Sequence, residues 1–164
     1  MLSKAMQDAL NDQINKEFYA SYLYLSMSAY FDEANYPGFA QWMRAQSQEE
    51  YRHAMRIFNY INDRDGKVIL KSIDQPLTEF KSPMDAFTQT LEQERKVTGM
   101  VNKLYEMAMK ENDYPTQVML HWFISEQVEE EKTALNIVDQ LKMIGDTPAA
   151  MIMLDRQLGE RSKG

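Results

Sequence analysis

"KVILKSIDQPLTEFK", residues 67–81, has no helical period and carries Pro76 inside it. What flanks it decides the fold. Upstream, Ser3 suits the N-cap of a first helix reaching about Ala34, "NYPG" (35–38) makes a tight turn, and a second helix runs to about Asp65. Gly66 suits the left-handed position that often follows a helix. Downstream, "SP" at 82–83 supplies an N-cap and an N1 proline for a third helix to about Glu111. "NDYP" (112–115) marks a turn or a local break, and a fourth helix runs to about Met143, before Gly145. "DTP" (146–148) opens a short fifth helix through about Gly159. Two long helices, a long connection and two more long helices predict an all-α fold. It is a four-helix bundle with one long crossover and a short fifth C-terminal helix. The short links make each pair antiparallel, and residues 67–81 let the third helix run parallel to the second. No linker or low-complexity segment interrupts the chain, so 1–164 reads as a single domain.

A chain of 164 residues can bury a sizeable core. Its net charge of −7 makes nucleic acid a poor partner, because binding it needs a basic footprint. Acidity fits cationic ligands, although solubility alone explains a modest negative charge. Cysteine is absent, which excludes disulfides, thiolate zinc sites and iron–sulfur clusters. No apolar run reaches membrane-spanning length and "MLSKAMQDALNDQ" lacks a signal-peptide core, so the expected location is the cytoplasm, with no membrane partner. The 13 methionines read as adaptable core filling.

At spacings of three and four, each long helix shows an inner stripe. The first reads Ile14, Glu17, Ser21, Tyr24, Ser28, and the second Phe39, Met43, Gln46, Glu50, His53, Ile57, Ile61. The third reads Phe87, Leu91, Glu94, Thr98, Val101, Tyr105, and the fourth Leu120, Phe123, Gln127, Glu130, Ala134, Ile137, Leu141. Every stripe has a carboxylate near its middle, and helices of matched length put those middles at one height. Glu50 follows Glu17 by 33 residues and His53 comes three later; Gln127 follows Glu94 by 33 and Glu130 comes three later. The bundle therefore reads as two related hairpins. Each offers one ligand from its first helix and an i, i+3 pair, on one helix face, from its second.

Glu17, Glu50, Glu94 and Glu130 would bring about four negative charges into a low-dielectric space, where each unpaired charge costs several kcal/mol or takes up a proton. No lysine or arginine lies on the stripes at that level, whereas two divalent cations would neutralise the set. Carboxylate oxygen with one imidazole suits iron or manganese, suits zinc less, and gives copper(I) nothing. Plainer readings apply elsewhere. Glu49, Glu126 and Glu129 sit one position off the stripes, where a solvated face is the usual meaning of "EQVEEE" (126–131). A buried Tyr24 is more often core than redox partner. His121 has no carboxylate in phase and reads as a surface or interface residue, and Trp42 and Trp122 read as packing residues.

With "LNDQINKEFYASYLYLSMSAYF", "QEEYRHAMRIFNYI", "NDYPT" and "FISEQVEEEK", the sequence resembles the non-haem ferritins of bacteria and archaea essentially end to end. The resemblance implies a ferritin-like bundle with a ferroxidase centre, in a hollow homo-oligomeric shell of 24 subunits with iron mineral inside. By matching motifs, Glu17, Glu50 and His53 would bind one iron. Glu94, Glu130 and the bridging Glu50 would bind the second, with Gln127 beside it. Glu49, Glu126, Glu129 and Glu130 match the family's third iron site, and Tyr24 matches a tyrosine associated with oxidation. That tyrosine either hydrogen-bonds a ligand carboxylate or supplies one electron. Tyr51 stands where bacterioferritins place a haem-holding methionine, so no haem is expected. The implied reaction is oxidation of Fe(II) by dioxygen or hydrogen peroxide. The alternatives are a di-iron carboxylate oxidase or peroxide scavenger without a storage role, and a purely structural helical assembly with solvent-facing acids.

Overall fold

The computed structural model describes residues 1–161, which form five α-helices and no strand. They are α1 (Lys4–Glu33), α2 (Pro37–Asp63), α3 (Pro83–Lys110), α4 (Tyr114–Ile144) and α5 (Pro148–Gly159). Three of the four long helices start at a side-chain cap that satisfies an otherwise free amide. Ser3 accepts from the Met6 N–H, Ser82 from Asp85 and Asp113 from Thr116. The cap of α2, Tyr36, makes no such bond. Asp155 of α5 supplies it instead, accepting the Phe39 N–H at 2.8 Å. This borrowed cap ties α5 to the start of α2. The two come so close that a Cβ on Gly38 would lie 1.7 Å from the Asp155 carbonyl oxygen, and one on Gly159 would lie 2.8 Å from Gly38 Cα.

One local expectation is corrected. The left-handed residue after α2 is Asp65 (φ 56°), not Gly66, just as Asn35 (φ 64°) and Asn112 (φ 54°) carry the turns after α1 and α3. Short polar side chains enter this region more easily than other non-glycine residues because they hydrogen-bond locally. Gly66 is required for space: a Cβ there would come within 2.9 Å of Ile61 Cγ2.

The crossover lies along α1 in the same direction. Asn11 holds Lys67 and Ile69, Asn15 holds Ser72, and Ser26 holds Leu77, all through backbone groups of the crossover. The chain is thereby returned to the far end of the bundle, where Phe87 of α3 packs against Phe31 and Phe39. Helix α3 then runs back until Glu111, just beyond its end, accepts a hydrogen bond from Ser3. It is thus antiparallel to α1 and parallel to α2. Arg64 and Asp113, 2.9 Å apart, join the end of α2 to the start of α4.

The core is divided. One apolar cluster, around Tyr24, Met27, Phe31, Phe39, Met43 and Phe87, fills one end of the bundle. Another, around Met6, Leu10, Ile57, Ile61, Leu120 and Phe123, fills the other. Between them lies a layer of buried polar side chains drawn from all four long helices. No described helix is long and apolar enough to cross a membrane.

Candidate metal centre

The polar layer contains Glu17, Gln46, Glu50, His53, Glu94, Gln127 and Glu130, each less than a tenth exposed. Glu17 comes from α1, Gln46, Glu50 and His53 from α2, Glu94 from α3, and Gln127 and Glu130 from α4. One donor atom from each of Glu17, Glu50 and His53 lies within 4.8 Å of the others, and the same holds for Glu50, Glu94 and Glu130. Glu50 belongs to both groups. A further group joins His53, Glu126 and Glu130.

Burial disfavours the charged form of a carboxylate. Burial and then the charge of Glu94 push Glu50 well above the usual carboxylate range. Glu130 is pushed up to about 8, chiefly by burial and Glu94. Burial also raises Glu94, against the opposing hydrogen bonds of Tyr24 and Gln127. Burial disfavours a charged His53, yet Glu50 Oε2 at 3.1 Å and Glu17 Oε2 at 3.8 Å prevail and push it up to about 11. Glu50, Glu94 and Glu130 are thus all shifted toward their protonated forms. Glu17 Oε2, Gln46 Oε1 and Gln127 Oε1 are buried with no hydrogen-bond partner. Such atoms are costly in a folded protein and call for a ligand. All three line this layer, so the residues fit metal cations on their own evidence.

Amides and aromatics surround the acids. Gln13 donates to Glu17 Oε1 at 2.9 Å from one helical turn away, and Gln46 stands in the same i, i+4 relation to Glu50, at 3.1 Å. The Tyr24 hydroxyl donates to Glu94 Oε1 at 2.5 Å, and burial followed by the Glu94 charge keeps it a neutral phenol. Gln127 Nε2 donates to Glu94 Oε2 at 3.2 Å. The His53 ring meets Trp122 and Phe123 edge to face, with centroids 5.3 and 5.9 Å away, and the Arg56 guanidinium covers Trp122 at 4.0 Å.

The outlying acids divide. Half-buried Glu126 reaches His53 and Glu130. Glu49 is paired with Arg161 at 3.1 Å, and Glu129 is exposed; both stand outside the three groups. His121 is exposed and hydrogen-bonded to the Tyr105 hydroxyl at 3.1 Å, Trp42 is buried in an apolar cluster, and Trp122 walls His53. Reading the sequence gave Gln46 a place on the stripe but no role, and passed over Gln13. The signal was present: in both helices a glutamine stands four residues before the glutamate, the spacing at which side chains meet.

A carboxylate layer at mid-height of a four-helix bundle, with ligand sets from paired hairpins, is the plan of the di-iron carboxylate proteins. Comparison with known proteins narrows the class. The ferritin-like domain model matches residues 7–144. A bacterial non-heme ferritin of Staphylococcus haemolyticus is 44% identical over 162 residues, covering 99% of this chain and 98% of the relative. That of Staphylococcus aureus is 40% identical over the same length and coverage. Among solved structures, an open-pore ferritin from the archaeon Archaeoglobus fulgidus superposes with a TM-score of 0.98 at 46% identity, covering 99% of this chain and 100% of the other. The chain belongs to the ferritin family.

Proposed function

We propose that this chain is the subunit of an iron-storing ferritin and that its polar layer is a ferroxidase centre. One observation carries the reading: Glu50 belongs to both ligand groups, so two ions held by them would share a bridging carboxylate. Glu17, Glu50 and His53 take the first Fe(II), and Glu50, Glu94 and Glu130 take the second, with Gln127 beside it. Two ferrous ions side by side supply together the two electrons that take dioxygen to peroxide, or peroxide to water. The Tyr24 hydroxyl orients Glu94. Ferric iron, harder and more acidic, hydrolyses its water and leaves as oxide. Glu126 and Glu130, with Glu49 and Glu129 at the rim, offer a third station for iron in transit.

Storage requires a container. Tyr22, Leu25, Ile69, Leu70, Ile73 and Leu77 form an exposed apolar strip along α1 and the crossover, and Ile152 and Met153 expose another on α5. Strips of this kind suit contacts between copies of the chain, and a homo-oligomeric shell, 24 subunits in the reading adopted here, would bury them. Oxygen consumption during aerobic Fe(II) addition, followed by light scattering for a large iron-filled particle, tests the reading. Glu50→Ala and His53→Ala are expected to abolish rapid oxidation while leaving the particle assembled. Rapid oxidation at the normal rate in both variants would refute the site. Oxygen consumption without an iron-filled particle would point to an oxidase or peroxide scavenger.

A further inference from the structure

Gln46 occupies an unusual position. It is 1% exposed, and its Nε2 donates to Glu130 Oε2 at 2.7 Å and to Glu50 Oε1 at 3.1 Å, with Glu94 Oε1 at 3.5 Å. Those three carboxylates are the group assigned above to the second ion. The amide nitrogen therefore sits where that group converges. At its other end, Oε1 has no partner, so the carboxylates alone fix the orientation of the amide.

A bound divalent ion lies about 2.0–2.2 Å from carboxylate oxygen. Ion and N–H hydrogens thus contend for the same lone pairs. The group of Glu17, Glu50 and His53 differs. There Gln13 donates to Glu17 alone, at 2.9 Å, and the contact between two ligands is made by the ligands themselves, His53 Nδ1 and Glu50 Oε2 at 3.1 Å, with no outside side chain bridging a pair.

We propose that Gln46 is an internal stand-in for the second metal ion. In the metal-free protein its amide gathers Glu50, Glu94 and Glu130 into their ligating arrangement. An arriving ion has to displace it, which makes the second site the weaker of the two and the more readily vacated. The centre stays shaped when empty and releases one of its ions easily, as a site that passes iron onward must. This inference rests on the two-ion reading above.

The test is calorimetric titration of Zn²⁺, a redox-inert ion that accepts carboxylate and imidazole ligands, into the metal-free assembled protein. Wild type is expected to show a tighter and a weaker class of site. Gln46→Met keeps the length of the side chain and removes both N–H donors. It should tighten the weaker class about tenfold, equivalent to about 1.4 kcal/mol, leave the tighter class within about threefold, and lower the melting temperature of the metal-free protein. Gln46→Leu, which brings no sulfur, should do the same and serves if the methionine variant misfolds. A weaker class that is unchanged or loosened in these variants overturns the proposal, since Gln46 would then be a bystander or a ligand. Glu50→Ala separates the two levels of inference: if both classes survive it, the ions bind elsewhere and the two-ion reading itself fails.

Discussion

At the scale of single residues, the upward shifts of Glu130 and His53 give the metal-free protein a defined pH response. Glu130 titrates at about 8 in the fold, against 4.5 for an ordinary glutamate. Between those values the folded chain holds more protons than the unfolded one, so stability falls as pH rises through the interval. His53 acts in the same direction from 6.5 to about 11. The metal-free protein is therefore expected to melt at progressively lower temperature from about pH 5 to pH 9. The Zn²⁺-loaded protein should show a flatter profile, because the ion replaces the protons. Thermal denaturation across that range checks both, and a metal-free melting temperature that rises with pH would contradict the account. Tyr24→Phe removes the hydroxyl that donates to Glu94. It should destabilise the metal-free protein by about 0.5–1.5 kcal/mol, the range for an ordinary hydrogen bond, and slow ferrous oxidation. The acids of this centre were legible in the sequence because a repeated interval of 33 residues and an i, i+3 pair leave a mark on one chain. The role of Gln46 was not, because it arises from ligands on three different helices meeting at one nitrogen.

At the scale of helices, the boundaries followed from caps, prolines and turns, and the observed ends lie within two residues of those read from the sequence. What the sequence concealed is how the pieces are fastened. Gln7, Asn11 and Asn15 form an i, i+4, i+8 polar ladder whose partners are backbone groups at positions 67, 69 and 72. A polar face on an amphipathic helix ordinarily means solvent; here it carries the crossover. Asn11→Ala removes two of these bonds from a buried side chain and should destabilise the fold by about 2 kcal/mol, measured by denaturant unfolding. The seat of α5 is equally specific. Gly38→Ala would drive a methyl group into the Asp155 carbonyl, forcing α5 off the start of α2 and opening the borrowed cap. Limited proteolysis should then cut at 145–161 well before the rest of the chain, with the helicity of α1–α4 retained.

At the scale of the whole molecule, two exposed apolar strips stand on surfaces that the bundle itself does not cover. Within the proposed shell, Leu25→Glu combined with Ile73→Glu should break the assembly into small species with unchanged helicity, seen as a lower mass by light scattering. Ferrous oxidation should then continue without retention of a soluble mineral core. The four-helix plan was readable because helix length and one irregular segment determine it almost alone. Contacts between copies leave no comparable pattern. The division of the core has a consequence of its own. Packed hydrocarbon closes the bundle both above and below the acidic layer, so a hydrated cation has no lengthwise passage. In the proposed function, ions would then pass sideways, beside His53 and Glu130 where Glu126 stands half-buried. On that reading the bundle is a turnstile set in a wall, not a pipe.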